Sequence, residues 1–423
     1  MPTRFYCTYF DQNYIAKGLA MIQSLCQHNP SVEIYVVCMD EETYDILGQL
    51  GMAELKLLRL SDIEDGDEQL VEPKRQRSLV EYYWTLTPTI ILRVLERHDH
   101  IDVLSYVDAD LFFYGPTEPI FEEMADRSVL IHEHRFPPRL APLVENGIYN
   151  VGWLSFRDDE RGREVLQWWR ERCIEWCFKR IEDGKMGDQL YLNDWPSRFE
   201  GVHVLQHIGA GLGPWNHEQY AYAQSEDGAV TVSGREVIFY HFHSLAVVTS
   251  DLIVPCTGLL YILTKPIIEL LVLPYANALQ ASIHVIRELR NDFTAGINVS
   301  GQLASHLVFV ARKRIADALR SAPQPRHDLS ATWDLYAGRQ LVHSTQVQVA
   351  PPPGASPSEP SQPSPPPDPA PSGEEGHDAL VALREAGLHS RGEPLRLRLS
   401  YHQDRQPGCI TVHDRPSETV ESE

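Results

Sequence analysis

The first part of the chain alternates short β-branched or aromatic runs with longer stretches of helical spacing. Phe5 to Tyr9 reads as a strand and Tyr14 to Gln27 as an amphipathic helix. Val32 to Cys38 predicts a second strand, Glu41 to Leu50 a helix, Leu55 to Leu60 a third strand, and Ser61 to Gln69 a polar loop. Helical spacing resumes from Ser78 to Glu96, where Pro88 is expected to break or kink the helix. The next strand, Val103 to Val107, runs into Asp108-Ala109-Asp110 and then Leu111-Phe112-Phe113. Further strands are expected over Val129 to His132, over Tyr149 to Phe156 and within Val230 to His243. A long helix is expected over Gly162 to Glu182, with Trp168, Trp169, Trp176 and Phe178 in the core. Strands alternating with helices predict right-handed crossovers and a mostly parallel α/β sheet, whose strand carboxyl ends are where ligands bind.

From Leu252 to Val272 the chain is very apolar but interrupted by Pro255, Lys265, Pro266 and Glu269, with Pro274 just beyond. A membrane span wants roughly 20 uninterrupted apolar residues, so a spanning helix is not expected. The segment reads either as helices packed on the domain before it or as an amphipathic surface in peripheral contact with a membrane over 252–275. Ala281 to Leu319 continues as helix, with Arg312-Lys313-Arg314 near its end. Beyond Ser321 the chain becomes Pro/Ser-rich, most densely from Pro351 to Pro371, with short helix and strand segments at Leu380 to Glu385 and Leu395 to Ser400. The expected division is a catalytic domain over 1–250, a helical extension over 251–320 and a largely disordered tail over 321–423.

Composition narrows the chemistry. The 37 Lys and Arg against 59 Asp and Glu leave a formal charge of −22, which argues against a nucleic-acid partner. Nucleotide phosphates remain accessible through a local metal. Met1 to Phe5 lacks an apolar secretory segment, and seven scattered cysteines read as reduced thiols of a cytoplasmic protein. Cys173 and Cys177 share a helix face without a second pair nearby, which favours packing over zinc.

Asp108 and Asp110 are the strongest candidate chemistry. Two carboxylates one residue apart at a strand end are costly to bury unpaired, and their hard oxygens suit Mg²⁺ or Mn²⁺. A solvated turn is the other reading, and the apolar runs on both sides count against it. Four further segments carry polar groups in structured surroundings. Thr8-Tyr9-Phe10-Asp11 follows the first strand, and lacks the Gly-x-Gly-x-x-Gly pattern of a dinucleotide site. Asn150 lies between apolar residues in a strand. Asp188-Gln189 follows Gly187. His241 and His243 share a face near a strand end, where either could complete a metal shell. Helix capping, backbone hydrogen bonding or core packing is the structural alternative for each.

In this order the motifs resemble those of GT-A glycosyltransferases related to glycogenin and to the bacterial lipooligosaccharide galactosyltransferases. Gly209-Ala210-Gly211-Leu212-Gly213-Pro214-Trp215-Asn216 and Phe239-Tyr240-His241-Phe242-His243 are similar to bacterial transferases of surface-polysaccharide clusters. The resemblance covers residues 4–250. It implies Mn²⁺ or Mg²⁺ on Asp108, Asp110 and His241, with His243 as the alternative third ligand. Thr8, Tyr9 and Asp11 would hold the nucleoside, and Asp108 and Asp110 the donor diphosphate through the metal. Asn150, Asp188 and Gln189 would line the donor sugar, with Gln189 nearest the anomeric carbon. Trp215 and Asn216 would contact the acceptor or the diphosphate. The implied partners are a nucleotide-sugar donor and a glycan or lipid-linked acceptor; the apolar segment after Leu252 suits a lipid-linked acceptor at the inner membrane face.

Two positions depart from the pattern. Leu190 stands where a second acid follows Asp-Gln, and His241-Phe242-His243-Ser244-Leu245-Ala246-Val247 lacks the family's phosphate-binding lysine. Arg77 is expected to substitute for that lysine, or else to sit in a salt bridge. A degenerate module that binds nucleotide-sugar or glycan without catalysis is a rival reading. A sugar-1-phosphate nucleotidyltransferase is a second rival, disfavoured because Phe10-Asp11-Gln12-Asn13 is neither Gly-rich nor basic.

Overall fold

The computed structural model describes residues 2–249, 252–256 and 261–297, together with five further strands between Phe309 and His413. Two compact units form. The first comprises Met1–His243, Leu260–Ile262 and Ala281–Gly296; the second comprises Ser244–Leu259, Leu263–Gln280 and Ile297–Glu423.

The elements of the first unit run in the order β1 (Arg4–Phe10), α1 (Ile15–His28), β2 (Val32–Cys38), α2 (Glu41–Leu50), β3 (Leu55–Arg59), α3 (Leu60–Glu64), α4 (Val71–Gln76), α5 (Leu79–Arg97), β4 (Val103–Val107) and β5 (Leu111–Phe113). There follow α6 (Glu118–Met124), β6 (Val129–Glu133), β7 (Tyr149–Arg157), α7 (Glu160–Glu175), α8 (Trp195–Arg198), β8 (Val202–Val204), β9 (Tyr222–Gln224), β10 (Val230–Val232), β11 (Arg235–Glu236) and β12 (Phe239–His241). Seven strands build the main sheet in the order β3-β2-β1-β4-β7-β6-β8. Neighbours run parallel except for β7, which is antiparallel to both β4 and β6. This is the mostly parallel α/β sheet that the alternation predicts. From β1 the chain winds one way through β2 and β3, then crosses to β4 on the other side, so a topological switch point lies between the carboxyl ends of β1 and β4.

Alternation along β1 divides its side chains between the two faces. Cys7 belongs to the cluster packed under α5 and α7, with Ile91, Leu95, Val165 and Trp169. Tyr6 meets Trp153 and Phe121 edge-on instead. β5 leaves the main sheet and pairs antiparallel with β12, Leu111 opposite His241 and Phe113 opposite Phe239.

Several local expectations are corrected. The segment 61–69 is not a plain loop: α3 opens it, with the Asp62 carboxylate accepting the Arg59 N–H at 2.7 Å. α5 runs through Pro88 unbroken. Proline there removes one intrahelical hydrogen bond, but Pro88 is buried among Leu86, Ile90 and Ile91, whose packing holds the helix together. α7 stops at Glu175 rather than Glu182, because Trp176 turns to an extended conformation and its N–H bonds back to Arg172 O.

In the second unit, Ala246–Thr249, Leu252–Val254, Phe309–Arg312, Ser330–Ala337 and Gln340–Gln348 form an antiparallel five-stranded sheet. Leu263–Thr264 pairs with Cys409–His413, which pairs with Arg398–Tyr401. The apolar stretch therefore begins as a strand, and becomes helix over Lys265–Leu289 with a π segment at Ile268–Val272. That helix is long and apolar enough to cross a membrane, by length and composition. The helix expected from Ala281 to Leu319 ends at Leu289; Arg312 lies in a strand, and Lys313 and Arg314 lie outside the described residues. So does the Pro/Ser-rich run 351–371.

Helices α5 and α7 are clamped to the 65–70 turn by a buried charge cluster. Asp67 accepts from Arg170 and, at 3.0 Å, from Arg93, while Gln69 takes the other Arg170 nitrogen at 2.8 Å. Removing one partner of a buried pair strands the other charge. Asp67→Ala is expected to lower unfolding free energy by about 3–5 kcal/mol. Urea denaturation checks this; a loss within experimental error would mean that Arg170 is satisfied without Asp67.

Candidate metal and nucleotide site

β4 delivers Asp108 to the switch point, and the turn after it delivers Asp110. The Asp108 N–H bonds Gly152 O at 3.0 Å, extending the β4–β7 pairing by one step. The β5–β12 ribbon then brings His241 opposite Leu111, and the Phe242 N–H bonds Asp110 O at 2.8 Å. Ligand atoms of Asp108, Asp110 and His241 consequently lie within 4.8 Å of one another, the one such metal-competent group among the described residues. His241 Nε2 is 3.0 Å from Asp110 Oδ1 and 3.6 Å from Asp108 Oδ2. Two carboxylates and an imidazole fit a hard-to-borderline divalent cation such as Mn²⁺ or Mg²⁺.

The hydrogen bonds behind His241 fix its tautomer. Asn150 Oδ1 accepts the Gly152 N–H at 2.8 Å, which orients the amide and makes His241 Nδ1, at 3.3 Å, the donor. Nε2 is thereby left facing the carboxylates, the outer-sphere arrangement usual for a metal-ligating histidine. Asn150 Nδ2 donates to His134 Nε2 at 3.1 Å and to Gln189 Oε1 at 3.3 Å. His134 Nδ1 in turn donates to Ile148 O, and Gln189 Nε2 to Asn146 O. Gly152 is required by this packing. A Cβ there would meet Asn150 Oδ1 at 2.6 Å and His241 Nδ1 at 2.7 Å.

A second network reaches Asp108 from the other strands. The Tyr106 hydroxyl donates to Asp108 Oδ1 at 2.6 Å, and the Tyr106 ring stacks on Tyr9 with centroids 5.7 Å apart. The Tyr9 hydroxyl bonds Thr87 Oγ1 at 3.0 Å, and Thr87 donates to Asp188 Oδ2 at 3.1 Å. The Trp169 indole N–H holds the Asp188 carbonyl at 2.8 Å.

The charges are strongly biased by this packing. Burial raises the Asp108 carboxyl, with the Asp110 charge adding to it and His241 opposing. Burial also pushes Asp110 up, but the charge and hydrogen bond of His241, with Lys17 and His243, carry it below the usual carboxylate range. Burial disfavours the His241 imidazolium, yet Asp110 and Asp108 outweigh that and raise its pKa. Asp188 is pushed up to about 7, chiefly by burial and then by the Asp108 charge.

Other expected site residues are placed differently. Arg77 does not serve as a free cation: its buried guanidinium donates to Thr85 Oγ1, to Cys173 O at 2.6 Å and to Ile174 O at 2.7 Å, tying α5 to the end of α7. Asn216 is fully buried and saturated, donating to His134 O and Gly211 O and accepting the Gly213 N–H. Trp215 is buried edge-on against His241 at 5.2 Å and against His134 at 5.1 Å, so it walls the imidazole. Asp11 accepts the Asn13 backbone and side-chain N–H groups and shapes the turn after β1. Thr8 Oγ1 is buried without a hydrogen-bond partner. His243 is exposed, stands outside the three-ligand group, and has its ring 6.2 Å from that of His241. His134, Tyr106 and Thr87 belong to none of the motifs. The His132–His134 alternation at the end of β6 repeats the 241–243 pattern and is the one sequence signal that marks any of them.

No family model matches the chain. It is 34% identical over 254 residues to YfnF of Bacillus subtilis (strain 168), covering 58% of this chain and 83% of YfnF. With YfnD of the same organism it shares 31% identity over 299 residues, covering 70% of this chain and 95% of YfnD. The chain belongs to the YfnD and YfnF family. Both relatives are described as uncharacterized proteins. Among solved structures, the galactosyltransferase LgtC in complex with donor and acceptor sugar analogs matches at 15% identity and TM-score 0.38, covering 56% of this chain and 87% of LgtC. Mouse xyloside xylosyltransferase 1 matches at 12% and 0.38, over 57% of this chain and 98% of that one. The glycosyltransferase GlyE of Streptococcus pneumoniae matches at 19% and 0.33, over 50% of this chain and 47% of GlyE, so the chain spans just under half of GlyE. At such scores the likeness carries no chemistry, which rests on the side chains themselves.

For this member of the YfnD and YfnF family, Gly152→Ala is expected to weaken Mn²⁺ binding by about tenfold or more, because it displaces the amide that orients His241. Isothermal titration checks this, with circular dichroism showing an intact fold; unchanged affinity would disconnect Asn150 from the ligand set. Asp188 generates a pH dependence. Its carboxyl titrates near 3.8 when unperturbed and at about 7 in the fold, so within that window the folded chain keeps a proton that the unfolded chain has released. The stability linked to that proton is full below the lower value, falls as pH rises to about 7, and is level above it. Chelator-treated wild type should lose stability relative to Asp188→Asn with a slope approaching about 1.4 kcal/mol per pH unit. Parallel curves in denaturant titrations would show that Asp188 is ionised throughout.

Proposed function

We propose that this member of the YfnD and YfnF family is a metal-dependent glycosyltransferase. It moves a sugar from a nucleoside-diphosphate donor, UDP-linked in the simplest case, to a hydroxyl of a glycan or lipid-linked acceptor. The observation that carries this reading is the Asp108, Asp110 and His241 group at the switch point of an α/β sheet, joined by the Asn150 amide to Gln189. A divalent cation on those ligands would supply Lewis-acid stabilisation of the leaving diphosphate.

The chain's own groups do the rest. Tyr9, near the end of β1, addresses the nucleoside, with the buried Thr8 behind it. Asn150 holds His241 in its ligating tautomer and presents Gln189 to the sugar. Asp188, its carboxyl near neutrality in pKa, donates or accepts a hydrogen bond at a sugar hydroxyl. The GT-A resemblance implies retention, and because Gln189 is not a strong nucleophile the route is front-side displacement, with the leaving phosphate accepting the acceptor's proton. The apolar stretch after Leu252 supports work on the inner, cytoplasmic face of a membrane, with peripheral contact through that stretch.

The catalytically degenerate binding module stays as the alternative, favoured by one observation: the Arg77 guanidinium is engaged with main-chain carbonyls. A thermal-shift screen of UDP- and GDP-sugars with and without Mn²⁺, followed by donor hydrolysis, separates the two. A matched donor at about 100 times its dissociation constant should stabilise the wild type by about 2.7 kcal/mol, with metal, and not the Asp110→Ala variant. Binding without hydrolysis or transfer would select a module that binds nucleotide-sugar, and no metal-dependent shift with any donor would overturn the glycosyltransferase and leave a module that binds glycan.

A further inference from the structure

We propose that the segment 290–296 positions the loop 11–14 beside the donor's nucleoside, by seating Gly296 against the Asn13 carbonyl. This rests on the glycosyltransferase reading and adds a positioning residue that no motif supplies. The segment follows the helix that ends at Leu289 and belongs to the first unit.

The loop 11–14 leaves the end of β1 at the switch point, where ligands of such sheets bind. It is braced from within and from α2. Asp11 accepts the Asn13 backbone N–H at 2.9 Å and its side-chain N–H at 3.2 Å. Asp40, which caps α2 by accepting the Thr43 N–H at 2.7 Å, also accepts the Gln12 N–H at 2.9 Å. The segment 290–296 is anchored on the same helix. Arg290 Nε donates to Glu42 at 2.9 Å and Nη1 to Gln49 at 3.3 Å. Phe293 is buried; its N–H donates to Arg290 O at 3.0 Å, and its carbonyl accepts from Arg287 Nε at 3.2 Å. Loop and segment thus stand on one support, and they meet at Gly296.

Two independent demands make that position glycine. Its φ of +70° lies in the left-handed region, and a Cβ there would sit 2.0 Å from Asn13 O and 2.9 Å from Asn13 C. Those are main-chain atoms, so no rotamer change relieves the clash and the loop itself must move. Such a movement reaches Tyr9. Burial first, then the charges of Asp11 and Asp40 and a hydrogen bond to Asp11, raise the Tyr83 phenol. The Tyr83 ring meets Tyr9 edge-on, with centroids 6.2 Å apart. Gly296 is therefore linked to Tyr9 through Asn13, Asp11 and Tyr83. The metal ligands are anchored separately, by the β4–β7 and β5–β12 pairings.

Calorimetry on the full chain tests this, with Mn²⁺ alone and with UDP or GDP plus Mn²⁺, in wild type, Gly296→Ala and Arg290→Ala. Gly234→Ala is the control for backbone strain, since Gly234 has φ +81° and an added Cβ there would have nothing within 4 Å. Gly296→Ala should weaken nucleotide binding by about tenfold or more, the size expected for an overpacked contact. It should leave Mn²⁺ affinity unchanged, and Gly234→Ala should leave both unchanged. A merely structural glycine would lower the melting temperature without separating nucleotide from metal. Arg290→Ala adds no bulk and frees the segment from α2; it should weaken nucleotide binding in the same direction, and it decides the matter if Gly296→Ala does not fold. Wild-type-like nucleotide binding in folded Gly296→Ala would overturn the inference alone. So would a joint fall in both affinities, an equal effect of Gly234→Ala, or, where Gly296→Ala does not fold, unchanged binding in Arg290→Ala. Absence of nucleotide binding in the wild type would remove the glycosyltransferase reading and this inference together.

Discussion

Two like charges at the end of one strand are the constraint around which the first unit is organised. Asp108 and Asp110 repel each other in a partly desolvated place, and their cost falls only if positive or donating groups surround them. Every neighbouring element contributes one. β12 brings His241, β4 brings the Tyr106 hydroxyl, and α1 brings Lys17. The unlike responses of the two acids, one pushed up and the other held down, follow from the unequal sharing of these partners.

The hydrogen bonds behind the ligands run in one direction. Gly152 and His241 donate to the Asn150 oxygen; the Asn150 amide donates onward to His134 and Gln189; these donate to main-chain carbonyls of the loop before β7. A chain of this kind has one consistent assignment of protons. A group that disturbs Gln189 is therefore felt at the imidazole. The link from Tyr9 through Thr87 to Asp188 does the same work for the opposite carboxylate. Between them, these two lines connect the ends of β1, β4 and β7 to the turn that carries Asp188 and Gln189.

The architecture was legible because hydrophobic periodicity is local. β2, α2 and β4 fall at the residues expected, and β1 and β3 within one at each end. The Asp pair stood out because apolar runs flank it, and His241 because it alternates with His243. What stayed hidden depends on partners distant in sequence. Arg77 looked available, but its acceptors are carbonyls at the end of α7. Asn216 looked like a contact residue, but it braces its own loop. Pro88 was expected to break or kink its helix, and no break occurs because burial of its neighbours outweighs one lost hydrogen bond.

The β5–β12 ribbon has a consequence for how the protein is made. Asn150 and the imidazole it orients are 91 residues apart in sequence, and the carboxylates precede both. During synthesis the sheet strands β1 to β4 are complete long before β12 leaves the ribosome. Until then the nascent chain carries the acidic pair without its histidine. The ribbon is thus a late clasp: the central strands can assemble first, but the metal-competent pocket exists only after the last strand of the unit closes over it.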